Sequence, residues 1–445
     1  MYKGSARLLL KNEDALRIVA SSARISTQQG TALEIYDRSG DKRKDLNLVG
    51  KVLSSGHKSV IEHQTMSIAF DNVSVLVEQF VIEFRLASYT VKSRRYVDFS
   101  DAGYVVPEGM SNEVRAIYEK RTQELFALYE KLMEMGVPKE DARFVLPYGF
   151  RSNFFATLNA RELISMVTAM LNGRGSVYPE LRMLGMQLKE QFDVLYPGVI
   201  DNEMGHAASE LREGAPGPIL AGAAREPEIR IVGEPANPIA VLDTAMRFGR
   251  RFNGFDDDNV QALLTDARPR ELELLNYAFR IDHVSLACVT HFTRHRMLSL
   301  TLRHELSALS DGNYVLPESI SALPEALEAY TEAFAAQSEA AVQAREKGAG
   351  DNELAYFAMA GHTTSILISM NARELLHFSK LRCCTRAQWE IRGIARAMVE
   401  LLNETPARSV FKYYGPTCAV TGRCPEGKMC CGHPVRIEDG TWHIS

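Results

Sequence analysis

The sequence repeats itself, and this repeat restricts the fold more than any other feature. Three short strings occur twice, in the same order and at nearly constant separation. They are residues 85–88 (RLAS) and 296–299 (RMLS), 104–108 (YVVPE) and 314–318 (YVLPE), and 159–163 and 371–375 (both NAREL). Self-similarity at a fixed distance is the signature of a duplicated structural unit. We therefore predict two copies of one unit, residues 1–200 and 239–415.

A different kind of sequence separates and follows the two copies. Residues 201–238 are rich in Gly, Pro and Ala and show no hydrophobic periodicity, which is typical of a connection. We predict a linker there and a separate cysteine-rich tail at residues 416–445. The chain of 445 residues is long enough for self-sufficient cores that need neither metal nor disulfide.

Each copy is expected to contain one long amphipathic helix. Residues 114–136 carry apolar side chains at helical spacing, and Gly136 is placed to end that helix. The segment from Pro324 to Gly348 has the same pattern in the second copy. Long helices of this kind need a core or a partner helix to cover their apolar face.

Shorter patterns complete the secondary structure. The string NAREL predicts a helix start, with Asn159 or Asn371 as N-cap and the glutamate at the third helical position as its reciprocal capping partner. Residues 66–84 and 284–292 are rich in β-branched and aromatic residues and favour strands. The fold class is therefore α/β (α+β), in two homologous units.

Charge and composition limit the ligands and the compartment. Lys and Arg total 51 against 56 Asp and Glu, so no overall positive field favours a nucleic acid polymer, and small anions are the expected ligands. The N-terminal residues contain no apolar stretch long enough for a signal peptide or a membrane span. We therefore expect a cytoplasmic protein without a membrane partner.

Two arginine-rich segments resemble halves of one known signature. The second copy has Arg294, His295 and Arg296, with Ser299 three residues later. The first copy has Ser93, Arg94, Arg95 and Tyr96. Together they resemble R-H-R-x-x-S-x-N-x-x-S-x-R-Y, the signature of flavin-dependent thymidylate synthases. The first copy has Glu83 and Phe84 in place of the leading Arg-His, and the second copy loses the S-x-R-Y end, so neither copy is complete.

Further segments extend this resemblance over most of the chain. His57, Ser59 and Glu62 lie in a stretch similar to the family's flavin-contacting H-x-[ST]-x-x-E-H. Arg143 opens a stretch similar to its R-x-V-L-P, where the arginine contacts nucleotide. The second copy follows the family's N-A-R…L-R…H-A-Q-W-E with Asn371, Arg373, Arg382 and residues 387–390, and it has Arg386 in place of the histidine.

The resemblance implies a fold, a reaction and a set of site residues. Each unit is expected to be a curved, mainly antiparallel sheet packed with helices. The reaction is FAD-dependent methylation of dUMP to dTMP, with NADPH and methylenetetrahydrofolate as co-substrates. Arg382 is the implied catalytic residue. The implied cofactor contacts are His57, Ser59, Glu62, Arg294, His295, Arg296, Asn371, Arg373 and Arg386, and the implied substrate contacts are Ser93, Arg94, Arg95, Tyr96 and Arg143.

These residue types suit the implied chemistry. The planar fork of arginine binds phosphate oxygens bidentately, and an arginine beside a pyrimidine stabilises negative charge that develops on the ring. Family members assemble active sites from several subunits of a tetramer. We therefore expect a homodimer that forms a pseudo-tetramer, in which the two copies contribute complementary residues and half of the ancestral sites survive.

Simpler interpretations stay open at this point. Residues 294–296 can be a solvated basic turn, and residues 93–95 a surface cluster. Helix capping fully explains Asn159 and Asn371. The chain can also be a diverged flavoenzyme for another pyrimidine nucleotide, or a non-catalytic flavin- or nucleotide-binding protein.

The tail contains four of the seven cysteines, namely Cys418, Cys424, Cys430 and Cys431. The surrounding Gly, Pro and Lys suit a small knuckle that holds zinc or an iron–sulfur cluster. The spacing is not the usual C-x2-C, so reduced cysteines in a flexible tail are the alternative.

Overall fold

A computed structural model describes residues 4–10, 12, 14–206, 219–249, 251–303, 309, 311–438 and 441–444. Its contacts divide the chain into two compact units. Unit 1 contains Met1–Ala221 and Pro317–Ala360, and unit 2 contains Gly222–Leu316 and Gly361–Ser445. The units differ from the predicted boundaries, because residues 317–360 of the second copy belong to unit 1. The boundaries 1–200 and 239–415 stay a prediction about the repeat in the sequence.

Unit 1 is built on a four-stranded antiparallel sheet in the order β1-β2-β4-β3. Its strands are β1 (Ser5–Leu10), β2 (Thr65–Ser74), β3 (Ala87–Val91) and β4 (Arg151–Asn159). Side chains of β4 alternate between buried and less buried positions, as expected for a sheet with one face on the core. The class that the sequence predicted is confirmed.

Unit 2 repeats this sheet in the order β5-β6-β8-β7, again antiparallel. Its strands are β5 (Glu228–Gly233), β6 (Asn276–Ser285), β7 (Ser299–Leu302) and β8 (Thr363–Asn371). Both sheets shift register near the end of the second strand, where Asn72 and His283 have positive φ angles of 53° and 58°. A shared irregularity of this kind supports a common origin of the two sheets.

Two long helices lie in unit 1, and both were predicted. They are Asn112–Glu134 and Pro324–Glu346, and they pack against each other. Arg121 joins them, because its guanidinium donates to Ala333 O at 2.7 Å and to Gln337 Oε1 at 3.1 Å. The other α-helices of unit 1 are Ala15–Ile25, Ala32–Arg38, Lys42–Ser54, Val75–Ile82, Lys139–Ala142, Ala160–Leu171, Pro179–Asp193, Val199–His206, Glu318–Ser321 and Asp351–Leu354.

Shorter helices cover the sheet of unit 2. The core of unit 2 is built from β6, β8 and the helices that precede and follow them. The α-helices are Pro238–Phe248, Asp257–Thr265, Leu286–Phe292, Ala372–Arg382, Trp389–Asn403, Arg408–Phe411 and Thr417–Thr421. Single 3₁₀ turns occur in both units, at Lys58–His63, Arg143–Val145, Arg174–Val177, Arg270–Leu274, Ala355–Phe357 and Gly427–Met429.

The strand predicted at residues 66–84 is wrong in its second half, and the strand predicted at 284–292 is wrong beyond Ser285. The chain leaves β2 and β6 and forms the helices Val75–Ile82 and Leu286–Phe292. Ser74 and Ser285 cap these helices through their hydroxyl oxygens. Val75–Ile82 is buried along its whole length, so its sequence lacks the polar face that identifies an amphipathic helix.

Part of the predicted linker forms regular secondary structure. Residues 207–218 lie outside the described residues, whereas residues 201–206 belong to the helix Val199–His206 and residues 228–233 form β5. Among the strands that the structure describes, β5 pairs with β6 alone. Edge pairing of this kind depends on a partner strand distant in sequence and leaves little local signal.

The tail folds within unit 2. Strands β9 (Val435–Glu438) and β10 (Thr441–Ile444) form an antiparallel hairpin. The Trp442 ring lies 5.4 Å from the Arg396 guanidinium and close to Gly415. Among the described residues, no helix is long and apolar enough to cross a membrane.

Candidate functional site

An open cleft of about 600 Å³ lies in unit 2 beside the start of the helix Ala372–Arg382. It combines basic, acidic, amide and apolar side chains. Its lining consists of Asp266, Ala267, Pro269, Arg270, Glu273, Met297, Asn371, Arg373, Glu374, Leu376, His377 and Lys380. A flat ring with attached phosphates needs this combination of apolar surface and cationic donors.

The NAREL string builds one wall of the cleft. Asn371 ends β8, and its Oδ1 accepts a hydrogen bond from Glu374 N at 2.9 Å. Asn159 caps the helix Ala160–Leu171 through the same bond to Glu162 N. The predicted N-caps are therefore confirmed, and a ligand role for Asn371 stays a prediction. Arg373 is held by an ion pair with Glu273.

The predicted reciprocal bonds of the two glutamates are corrected by the structure. The Glu374 carboxylate lies 3.1 Å from His295 Nδ1, and Glu162 Oε1 accepts from Leu86 N at 3.2 Å. Each carboxylate therefore reaches the segment after the second strand of its sheet. The motif pattern gave no signal for this, since a glutamate at that position also suits a capping box.

Three side chains form a continuous chain behind the cleft. Arg382 Nε donates to His295 Nε2 at 3.0 Å, and His295 Nδ1 faces Glu374. Arg382 also donates to His291 O at 3.2 Å. The predicted catalytic residue and the predicted histidine of the Arg-His-Arg segment are thus in direct contact.

Burial lowers the pKa of His295. Its side chain is only 3% exposed, and this burial is the main cause that lowers its pKa below 6.5, with the Arg382 charge acting in the same direction. The Glu374 carboxylate opposes the shift. Since Nε2 accepts from Arg382, the imidazole proton must be on Nδ1, where it donates to Glu374.

The two arginines that flank His295 differ from it. Arg294 and Arg296 are exposed, and Met297 is 70% exposed beside the cleft. The segment therefore alternates outward and inward, which a fully solvated basic turn does not require. Arg386 donates to Met429 O at 2.6 Å, so the residue that replaces the family histidine binds the tail.

The predicted flavin-type residues of unit 1 lie on and beside the 3₁₀ turn Lys58–His63. His57 and Ser59 are exposed, and the partly buried Glu62 forms an ion pair with Arg161 at 2.7 Å. Arg161 corresponds to Arg373 in the repeat. The surface position suits ligand contact, and that role stays a prediction.

The predicted nucleotide-type residues of unit 1 come together around Glu140. Arg95 forms an ion pair with its carboxylate at 2.9 Å, and Arg143 Nε donates to its backbone O at 2.9 Å. Ser93 Oγ accepts from Arg95 N at 3.3 Å, and Tyr96 is 66% exposed. The sequence places these residues 50 positions apart at most, and the fold makes them one cluster.

Arg94 does not share this position. Its guanidinium is buried and pairs with the buried Glu78 at 2.6 Å, and Glu78 also accepts from Ser152 Oγ at 2.5 Å. Arg94 is buried in the turn at residues 94–96, whereas Ser93 and Arg95 on either side are half-buried. The structure thus favours a structural role for Arg94 over the predicted substrate contact.

Arg174 is a residue that sequence reasoning missed. It forms an ion pair with Glu83, and its guanidinium lies 4.6 Å from the centre of the Phe80 ring. Glu83 and Phe84 stand where the second copy has Arg294 and His295. The sequence signal was that Glu83 replaces the arginine found at the same position of the second copy. A half-buried carboxylate needs a basic partner.

The tail gives no support to the predicted metal site. Cys418, Cys424, Cys430 and Cys431 are free thiols. In the part of the chain that the structure describes, no group of three or more His, Cys, Asp or Glu residues could hold a metal ion. Cys431 Sγ accepts from His433 N at 3.4 Å instead.

Known proteins resemble this chain in both copies. A family model described as thymidylate synthase complementing protein matches residues 7–198 and 243–406. The flavin-dependent thymidylate synthase of Geobacter sulfurreducens is 34% identical over 170 residues, which are 38% of this chain and 72% of that protein. The flavin-dependent thymidylate synthase of Saccharolobus solfataricus is 28% identical over 196 residues, which are 43% of this chain and 74% of that protein.

One solved structure is also similar. A UMP/dUMP methylase from Streptomyces cacaoi, bound with 5-Br dUMP, is 21% identical with a TM-score of 0.38, over 46% of this chain and 95% of that chain. This TM-score is too low to support an argument. The family model, in contrast, matches well over half of the chain in two segments. The chain therefore belongs to the thymidylate synthase complementing protein family, the flavin-dependent thymidylate synthases, and carries two diverged copies of its domain.

Proposed function

We propose that this chain is a flavin enzyme that methylates dUMP to dTMP, with methylenetetrahydrofolate as carbon donor and NADPH as reductant. The observation that carries the proposal is the contact between Arg382 and His295 beside the cleft of unit 2. It joins the two sequence segments that resemble the family's catalytic and Arg-His-Arg motifs. Relatives named flavin-dependent thymidylate synthase support the same reaction.

We propose the cleft of unit 2 as the site for a flavin dinucleotide. Arg270, Arg373 and Lys380 supply cations for the phosphates, and Met297 supplies apolar surface for a flat ring. Asn371 lies at the start of its helix, at the positive end of the helix dipole. We propose that these residues hold the cofactor, together with Arg294 and Arg296. For unit 1 we separately propose that the exposed residues His57 and Ser59 and the partly buried Glu62 contact a flavin.

The remaining roles follow from charge. Ser93, Arg95 and Arg143 bind the nucleotide phosphate, because they form a basic cluster in which Glu140 orients two arginines. Arg382 stabilises negative charge on the pyrimidine ring when C5 attacks the methylene group. A flavin bound there would supply the redox chemistry that the methyl group requires, with NADPH as the proposed reductant. The proposed compartment is the cytoplasm and the proposed assembly is a homodimer.

The visible spectrum of the purified protein tests the proposal. We expect bound flavin whose absorbance bleaches under anaerobic NADPH, with a bleaching rate that responds to dUMP. Formation of dTMP from labelled methylenetetrahydrofolate then identifies the product. Flavin that bleaches without any response to dUMP would contradict the proposed substrate, and a protein that takes up no FAD would contradict the proposed chemistry.

A further inference from the structure

We propose that Glu374, His295 and Arg382 act as one chain that fixes the Arg382 guanidinium, so that His295 and Glu374 are positioning residues. This replaces the cofactor contact that the sequence implied for His295. The inference rests on the proposed function in one respect, namely that Arg382 meets the substrate. The three hydrogen-bonded side chains all lie within unit 2.

Burial decides the role of His295. The imidazole is 3% exposed, and its two nitrogens face Glu374 at 3.1 Å and Arg382 at 3.0 Å. The Phe378 ring covers it at 4.9 Å between ring centres. Both polar atoms are therefore engaged with protein groups, and a bound cofactor finds no open donor or acceptor on this side chain.

The proton positions determine which group donates and which accepts in each of the two hydrogen bonds of His295. Arginine donates only, so Nε2 of His295 must carry a lone pair toward Arg382 Nε. The proton on Nδ1 then points at the Glu374 carboxylate, which accepts it. A carboxylate at the far end makes Nε2 a better acceptor, as it does when a histidine orients a metal or a nucleophile. The second bond of Arg382, to His291 O at 3.2 Å, fixes the plane of the guanidinium.

The same chain makes Arg382 sensitive to acid. Protonation of Nε2 would place N–H against N–H and repel the guanidinium. The charged and titratable groups that face His295 are Glu374, Arg382 and His377, whose ring centre lies 5.8 Å away. Glu374 favours the protonated imidazole, whereas Arg382 and His377 disfavour it. A loss of the Glu374 charge should therefore move the acid transition to lower pH.

The first copy provides a matched control. Phe84 occupies the place of His295 there, and Glu162 occupies the place of Glu374, with its carboxylate on Leu86 N. Glu162→Gln makes the same chemical change as Glu374→Gln, at the same position of the NAREL helix. The Glu162 carboxylate, however, contacts a backbone N–H and no imidazole. Any general effect of this substitution on a NAREL helix appears in both variants, and an effect on Arg382 appears only in Glu374→Gln.

The first experiment needs no activity. Protein labelled with ¹⁵N-histidine is compared with His295→Gln to assign the resonances, and then with Arg382→Gln and Glu374→Gln. We expect the neutral Nδ1–H tautomer for His295, a changed Nε2 shift in Arg382→Gln, and a lower titration midpoint in Glu374→Gln, with no change in Glu162→Gln. An Nε2–H tautomer, or a His295 that titrates near pH 6.5 in all variants, would overturn the inference.

The second experiment separates positioning from binding. In Glu374→Gln we expect kcat to fall about tenfold, KM for dUMP and the affinity for FAD to stay within about twofold, and the acid limb of the kcat profile to move to lower pH. In His295→Gln the side-chain oxygen still accepts from Arg382, so kcat should recover relative to His295→Leu, and the acid limb should disappear. Weaker FAD binding with an unchanged kcat profile would make His295 a cofactor contact and overturn the inference.

The two experiments distinguish the failure of the inference from that of the proposed function. If the resonances show the expected His295 tautomer but the protein methylates no pyrimidine, the proposed reaction is refuted and the Glu374–His295–Arg382 arrangement stands. If the protein methylates dUMP but His295 has the Nε2–H tautomer, the Glu374–His295–Arg382 arrangement is refuted and the proposed reaction stands.

Discussion

Glu390 accepts two hydrogen bonds from Ser285, one from the backbone N–H at 2.7 Å and one from the hydroxyl at 2.5 Å. Ser74 and Glu180 make the same pair in unit 1, at 2.9 Å and 2.6 Å. Ser285 caps the helix that leads to Arg294, and Glu390 follows Arg382 by eight positions. The pair therefore ties together the two segments that carry the site of unit 2.

Glu390→Gln should lower the free energy of unfolding by about 1–3 kcal/mol, because an amide cannot accept from both donors of Ser285 and leaves one buried group unsatisfied. Urea denaturation measures this. Glu400→Gln, on the exposed face of the same helix, is the control and should change stability by under about 0.5 kcal/mol. Equal effects of the two substitutions would refute the role of the pair.

Arg382→Lys should lower kcat by roughly 10²–10³ while FAD still binds, since lysine keeps the charge but loses the planar donors that His295 and His291 O hold in place. Single-turnover formation of dTMP with preloaded flavin measures the chemical step. A variant with near-normal turnover would remove Arg382 from the catalytic role.

Arg95→Ala should weaken dUMP binding by about 1.5–3 kcal/mol, the value of a charge-assisted hydrogen bond to phosphate. Calorimetric titration with dUMP gives the affinity directly. Arg115→Ala removes an exposed arginine that pairs with Glu119 on a helix surface and should leave the affinity unchanged. If both variants bind dUMP normally, the phosphate lies elsewhere.

The purified protein should bind one FAD per chain, because unit 1 replaces the Arg-His pair with Glu83 and Phe84 and ties Glu83 to Arg174. Arg373→Ala should weaken that binding roughly tenfold to a hundredfold, whereas Arg230→Ala, on the exposed edge strand β5, should not. Absorbance of released flavin against protein concentration gives the ratio. Two flavins per chain would contradict the loss of half of the sites.

Stability should depend on pH through His295. Burial lowers its pKa in the folded chain below 6.5, so the unfolded chain takes up its proton at higher pH than the folded one. Its contribution to stability is complete above about pH 6.5 and is lost as pH falls below that value. The difference in unfolding free energy between wild type and His295→Gln should shift against the wild type between pH 8 and pH 5.5. A constant difference would mean that His295 titrates normally.

Much of the architecture could be predicted because it depends on local patterns. The helices Asn112–Glu134 and Pro324–Glu346 follow from apolar spacing, and the caps at Asn159 and Asn371 follow from residue type alone. The buried helix Val75–Ile82 could not be predicted, because burial on every side removes the periodicity that distinguishes helix from strand. The assignment of Pro324–Glu346 to unit 1 also lacks any local signal.

The sequence by itself determined the duplication, the family and the residue types that the proposed chemistry needs, because short motifs and their spacing are sufficient to identify them. Only the tertiary structure decided what those residues contact. His295 meets Glu374 and Arg382 across 79 and 87 positions of chain. The buried Arg94 pairs with Glu78, whereas its neighbour Arg95 pairs with Glu140. The physical reason is that burial and ion pairing depend on which distant segments the packed core brings together, and a motif records only the order of residues along the chain.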